Sequence, residues 1–92
     1  MFTLEQLKIF LEITDAGSFT CVAKNRSVSQ SSISQSIKSL EAKLDTPLFF
    51  RQGNAVFLTR AGEEFLVHAR IINANIDRAL EAVRALRSHA KR

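Results

Sequence analysis

Hydrophobic positions in this chain fall into five patterned stretches. In TLEQLKIFLEITDAG, Leu4, Leu7, Phe10 or Leu11, and Ile13 share one face at helical spacing, and Thr3 with Gln6 has capping-box spacing. Gly17 suits the stop of that helix. Ser18 can cap a second, shorter helix reaching about Lys24, with Phe19, Val22 and Ala23 turned inward. After a turn near Arg26–Val28, Ser29 is positioned to cap a third helix.

The third stretch, SVSQSSISQSIKSLE, holds seven serines in fifteen residues, a composition that usually marks a flexible linker. Ile33, Ile37, Leu40 and Leu44 nevertheless follow i, i+4, i+7, i+11, a single buried stripe that a linker has no reason to keep. The period predicts a helix over about residues 30–44, with its serines at the N-terminal end and on the outward face. Pro47 then stops it. LFFR and AVFLT are short β-prone runs flanking Gln52-Gly53-Asn54, which predicts a small hairpin whose Gly53 and Asn54 can both take positive φ.

From about Arg60 to Arg87 no proline interrupts the chain, and Thr59 is the expected cap. Phe65, Ala69, Ile72, Ile76, Ala79, Val83, Leu86 and Ala90 step alternately by four and three, a heptad seam broadened by Leu66 and Leu80. A helix of this length runs ~42 Å at about 1.5 Å per residue. Residues 1–59 cannot cover it, so a second copy is the expected occupant. Phe65, Ala69, Ile72, Ile76, Ala79, Leu80, Val83 and Leu86 are the expected dimerisation residues.

Together these elements predict a mainly α fold: a winged helix-turn-helix of three helices plus a β-hairpin wing, followed by a long dimerisation helix. The expected division is a DNA-binding domain at residues 1–59 and a linker or dimerisation helix at residues 60–92.

Composition narrows the classes. Hydrophobic residues make up 46% and charged residues 24%, which suits a folded domain and argues against disorder. No apolar run approaches the ~20 residues that cross a bilayer, and MFTLEQLKIF lacks the cationic-then-apolar order of a signal peptide. A cytoplasmic location with no membrane partner is expected. The lone Cys21 has no disulfide partner in the chain and reads as a small apolar filler beside Phe19, Val22 and Ala23. Net charge is +4, unevenly spread: residues 1–23 carry −2, residues 24–51 carry +3, and residues 60–92 carry +3. That gradient permits a polyanionic partner.

A helix-turn-helix with a wing gives the serines a use. The major groove admits one helix, and short side chains let the helix N-terminus approach the groove floor. Ser and Gln both donate and accept hydrogen bonds, and Gln can pair bidentately with adenine. The free N–H groups of Gln30, Ser31 and Ser32 suit a phosphate. Lys38 adds a cation for the backbone, and Arg51 and Gln52 in the hairpin can reach phosphates or the flanking minor groove. The expected wing spans residues 51–55.

Gly17-Ser18-Phe19-Thr20, Val22-Ala23, Ser29-Gln30, Ile33-Ser34, Ile37, Leu40-Glu41, Leu44, Leu48-Phe49, Arg51, Leu58-Thr59 and Ala61-Gly62 resemble the N-terminal region of LysR-type transcriptional regulators. The resemblance runs from about Leu4 to Gly62, and the heptad helix is similar to that family's linker helix. It implies sequence-specific binding of double-stranded DNA at an inverted-repeat operator by a symmetric homodimer. It assigns base contacts to Gln30, Ser31, Ser32, Ser34 and Gln35, phosphate contacts to Ser18 and Thr20, and the wing arginine to Arg51. With the cap Ser29, Lys38 and Gln52, these form the expected DNA-binding set.

Members of that family normally continue into a larger effector domain that binds a small-molecule inducer and builds tetramers. The expectation is therefore a DNA-binding fragment, with no cofactor or metal of its own and no tetramer without the effector domain. Five positions depart from the family pattern, and two of them, Ser31 and Ser32, replace the commoner proline and small residue. Arg26 stands where a buried leucine is usual, so the following turn is expected to be packed differently or exposed. Gln35 replaces a frequent arginine, which shifts base preference, and Asp45 replaces a glycine after the third helix in a turn it can tolerate.

Two other readings compete. A helical interaction module would use the seam for a different partner helix. An enzyme is disfavoured: His68 and His89 lie on the long helix, far in sequence from Cys21, with no paired carboxylates near the expected cleft.

Overall fold

The computed structural model describes residues 1–90, with side chains through Ser88. Helix α1 spans Leu4–Ala16, α2 Phe19–Arg26, α3 Gln30–Leu44; strands β1 (Phe49–Gln52) and β2 (Ala55–Leu58) follow, and α4 spans Arg60–Ala90. This is a three-helix head, a two-stranded wing and a long arm. The principal extents of 58 × 28 × 21 Å reflect how far α4 projects beyond the rest.

Each helix begins where a side chain can satisfy its free N–H groups. Thr3 Oγ1 accepts from Gln6 N at 3.1 Å while Gln6 Oε1 accepts from Thr3 N at 3.0 Å, completing the expected capping box. Ser18 Oγ accepts from Cys21 N, and Ser29 Oγ from Ser32 N, both at 3.1 Å. Thr59 Oγ1 accepts from Gly62 N at 3.0 Å and donates to Pro47 O at 2.7 Å, so the cap of α4 also grips the base of the wing. The helix ends are left-handed at Gly17 (φ 69°), Ser27 (φ 58°) and Asp45 (φ 59°). Asp45 thus holds the turn expected of it. α2 runs two residues beyond Lys24, because Ser27 rather than an earlier residue takes the left-handed stop.

β1 and β2 pair antiparallel, with Phe49 opposite Leu58 and Gln52 opposite Ala55. In the two-residue loop only Gly53 has positive φ, at 64°. Asn54, expected to share that property, does not, and the pattern is that of a type II′ turn.

The core is built around Phe10, which is fully buried. Its ring lies 5.0 Å from Phe65 and 5.2 Å from Phe49; Phe65 meets Phe2 at 5.5 Å, and Phe49 meets Phe19 at 5.8 Å. Five rings therefore join the N-terminus, α1, α2, β1 and α4. Leu7, Ile13, Val22, Ile33, Ile37, Leu40 and Leu48 fill the space around them.

Three expectations about burial need correction. Leu4 is exposed, and Ile9 is buried in its place on α1. Cys21 is exposed rather than a core filler. On α2 the buried Phe19, Val22 and Ala23 share one face, and Cys21, about 200° from Phe19, points the opposite way. The seam on α4 is also divided: Phe65 packs against Phe2 and Phe10, and Ala69 is fully buried within its own chain. Neither is free to face a second copy, because the first turns of α4 lie on α1 and β2. The core accordingly continues past residue 59.

Arg26 replaces an apolar contact with ion pairs. Its Nε and Nη2 donate to Glu12 Oε1 and Oε2 at 2.7 and 2.6 Å, and Nη1 donates to Glu5 Oε2 at 2.6 Å. The hydrogen bond to Glu12 is the main reason the guanidinium pKa is raised, with desolvation opposing it and Glu5 adding to it. A raised pKa means this contribution is complete below the unfolded value and is lost only as pH rises through the folded one, beyond ordinary conditions. The end of α2 is thus tied to α1 by charge across a half-exposed surface.

Candidate nucleic-acid interface

On α3 two parallel stripes run two residues out of step. Ile33, Ile37, Leu40 and Leu44 face the core, while Ser31, Gln35, Lys38 and Ala42 repeat the same i, i+4, i+7, i+11 spacing on the opposite, exposed side. The outward stripe is polar for its first two turns and carries Lys38 at mid-helix. Gln30, Ser31, Ser34, Gln35 and Lys38 line one open groove. The wall of this groove is therefore made of two small hydroxyls, two amides and one cation.

The first turn of α3 is ordered by its own serines. Ser29 Oγ accepts from Ser32 N and donates to Ser32 Oγ at 3.1 Å, so the Ser32 N–H expected to be free for a phosphate is taken by the cap, while its hydroxyl proton stays free. Ser29 is thus occupied as a cap, although it remains exposed. Ser18, part-buried, caps α2 as an acceptor and keeps its own proton for a ligand oxygen. Thr20 Oγ1 donates to Gln30 Oε1 at 3.3 Å, bridging the first turns of α2 and α3.

Beside α3 the wing forms a second wall. A cleft of about 190 Å³ is lined by Phe19, Ser34, Ile37, Lys38, Glu41, Phe49, Phe50 and Arg51. The Arg51 guanidinium lies 4.7 Å from the centre of the Phe19 ring, a cation–π contact that steadies a long side chain next to Lys38. Two cations and the Ser34 hydroxyl thereby border one channel, an arrangement suited to an anionic backbone. Gln52 stands exposed at the turn, opposite Ala55.

Glu41 fixes the distance between the two walls. Its Oε2 accepts from the backbone N–H of Leu48 at 2.7 Å and of Phe49 at 3.3 Å, tying the third helix to the start of β1. Removing this carboxylate in Glu41→Ala leaves the N–H of buried Leu48 without that acceptor, and is expected to cost about 1–3 kcal/mol in urea unfolding. Glu41→Gln keeps one acceptor oxygen and is expected to lose less.

The contacts of Glu41, of Phe19 with Arg51, and of Thr20 with Gln30 are invisible to periodicity, because each crosses from one element to another. Among the described residues no group of three His, Cys, Asp or Glu side chains could hold a metal ion. No described helix is long and apolar enough to cross a membrane.

Residues 4–63 match the family described as bacterial regulatory helix-turn-helix protein, lysR family. The chain belongs to the LysR family. A probable RuBisCO transcriptional regulator of Thalassiosira pseudonana is 42% identical to this LysR-family chain over 86 residues, 94% of this chain and 28% of that protein. The HTH-type transcriptional regulator BudR of Raoultella terrigena is 40% identical over 83 residues, 90% of this chain and 29% of that protein. The chain thus spans well under a third of the length of these curated relatives.

Among solved structures, a CbnR_DBD–DNA complex aligns with TM-score 0.84 and 36% identity, covering 91% of this LysR-family chain and 97% of that one. A BenM_DBD complex with benA site 1 DNA aligns with TM-score 0.86 and 26% identity, covering 92% and 99%. The winged helix-turn-helix with a long C-terminal helix is the fold of both.

Proposed function

We propose that this chain binds double-stranded DNA sequence-specifically as the reading module of a transcription regulator. In this reading α3 enters the major groove and the wing lies over the flanking backbone and minor groove. The observation that carries it is the outward stripe of α3, where Ser31, Gln35 and Lys38 stand opposite the core stripe and beside Arg51. Similarity to two domains solved on DNA supports the same reading.

The rest of the expected set takes roles from this placement. Ser31, Ser32, Ser34, Gln30 and Gln35 face the groove, Lys38 and Arg51 grip phosphates, and Ser18 donates to a backbone oxygen. Gln52 reaches the flank from the turn. A homodimer on an inverted repeat follows from α4: Ile72, Leu80, Val83 and Leu86 are 39%, 49%, 60% and 69% exposed, with Ala79 exposed and Ile76 half-buried between them. Covering large apolar side chains is worth about 1.5–3 kcal/mol each when complete, so a second copy laid on this stripe gains substantially. Ala90 of the same stripe lies outside the described side chains. The module works in the cytoplasm without a cofactor.

Affinities for duplexes of different sequence, measured across a salt series, test the assignment. Lys38→Ala and Arg51→Ala are each expected to weaken binding to all duplexes alike and to reduce the salt slope by about one. Gln35→Ala is expected to change base preference by about 1–3 kcal/mol at one position while leaving the slope unchanged. Uniform weakening by Gln35→Ala would move that residue to the backbone, and equal affinity of the unaltered chain for every duplex would sink sequence-specific reading.

A further inference from the structure

The two arginines of the head are held in opposite ways. Arg26 donates to Glu12 and Glu5, which neutralise it and occupy its N–H groups. Arg51 is paired with no carboxylate among the described residues. Its guanidinium lies instead 4.7 Å from the centre of the Phe19 ring. Glu41, the carboxylate lining the same cleft, accepts from the backbone N–H groups of Leu48 and Phe49.

A ring face attracts a cation through its quadrupole, supplying no counter-charge and using none of the cation's donors. Arg51 therefore keeps its charge and its N–H groups while its long side chain is held. A carboxylate would hold the same side chain but would compete with any phosphate that approached it. The ring is itself fixed. Phe19 is 8% exposed, meets Phe49 edge-on at 5.8 Å, and opens α2 directly after the cap Ser18. Arg51 is the only charged residue between Asp45 and Arg60, so a core side chain sets where the charge of the wing lies.

We infer that Phe19 is a positioning residue, whose ring face holds Arg51 beside Lys38 in the free protein so that a phosphate meets an arginine already in place. An arginine that must be ordered at the moment of binding loses side-chain freedom, and that loss weakens affinity. Phe19 is buried and acts through Arg51. This inference rests on the proposal that Arg51 grips the DNA backbone.

A series of chains carrying phenylalanine with increasing ring fluorination at position 19 tests it. Each fluorine withdraws charge from the ring face while the side chain stays close to its original shape. Duplex affinity at fixed salt is expected to fall stepwise, by about two- to fivefold across the series, the span of an exposed cation–π contact. The salt slope is expected to hold, because Arg51 keeps its charge. On the Arg51→Ala background the same series is expected to change nothing. In the free protein the side-chain proton resonances of Arg51 are expected upfield, under the ring current, and at ordinary positions in Phe19→Leu. Affinity that stays level across the series, or falls equally on the Arg51→Ala background, overturns the positioning role and leaves DNA reading standing. Unshifted Arg51 resonances in the free protein overturn it as well. Unchanged duplex affinity and salt slope in Arg51→Ala would instead overturn the phosphate grip on which the inference rests.

Discussion

Val83→Glu is expected to lower affinity for a two-half-site operator by about 10²–10⁴-fold while leaving the head folded. The size follows from avidity: two linked heads bind the second half-site at a high effective concentration, and that gain disappears when the link fails. Val83 is 60% exposed on the projecting part of α4 and lies outside the core of its own chain. A carboxylate there costs the isolated chain little, yet would be buried unpaired in a dimer seam. Sedimentation is expected to show a monomer, and single half-site binding is expected to survive. Retention of the dimer at the same concentration would mean that another face of α4 holds the two copies together.

The second large effect concerns the joint between arm and wing. Gly62→Ala would place a Cβ 2.1 Å from the carbonyl oxygen of Leu48, 2.9 Å from Leu58 Cδ2 and 3.1 Å from the Leu48 carbonyl carbon. The first of these contacts is with backbone that is itself fixed. Leu48 O accepts from Thr59 N at 2.9 Å, Leu48 N donates to Glu41 at 2.7 Å, and Thr59 Oγ1 holds Pro47 O at 2.7 Å. The start of α4 must lift away for the methyl group to fit. Such overpacking costs about 1–3 kcal/mol and occasionally more, against about 1 kcal/mol recovered from alanine's better helix propensity. A backbone contact this close lies far inside ordinary packing, so the cost is expected above that range, at about 3–5 kcal/mol, and the net loss at about 2–4 kcal/mol in urea unfolding. Unchanged stability would show that α4 does not sit on the Leu48 carbonyl.

What the chain discloses about itself follows the range of each interaction. Caps at Thr3, Ser18, Ser29 and Thr59 join residues three apart, and the core stripe of α3 repeats every turn, so both are written in local order. The serine-rich run from Ser27 to Glu41 looked like a linker by composition and was a helix by period. Cys21 failed because apolar neighbours in sequence are not neighbours on a helix face. The seam on α4 failed at its start for a different reason. Heptad spacing reports which positions share a stripe, whereas the occupant of that stripe depends on what the rest of the chain brings to it. Here α1 brings Phe10 to Phe65, and the stripe changes owner after Ala69.

The interface divides in the same way. The outward residues of α3 were legible because they are the complement of a legible core stripe. The groups that set their geometry were not: Glu41 reaches Leu48 and Phe49, Arg51 rests on Phe19, and Thr20 meets Gln30. Each of these pairs joins two different elements, which the period within one element does not report. Arg26 shows the converse. Its departure from the family pattern was visible in the sequence, but its two carboxylate partners on α1 emerged only when the helices were packed.

In the proposed function α3, carried in pairs by α4, reads DNA. Sequence selection from a random duplex pool by the unaltered chain tests it most directly. Enrichment of two half-sites in inverted orientation is expected, with centres about one helical turn or a multiple of it apart. Enrichment of single or directly repeated sites would contradict the two-fold pairing, and a pool that stays random would contradict the reading of α3 itself.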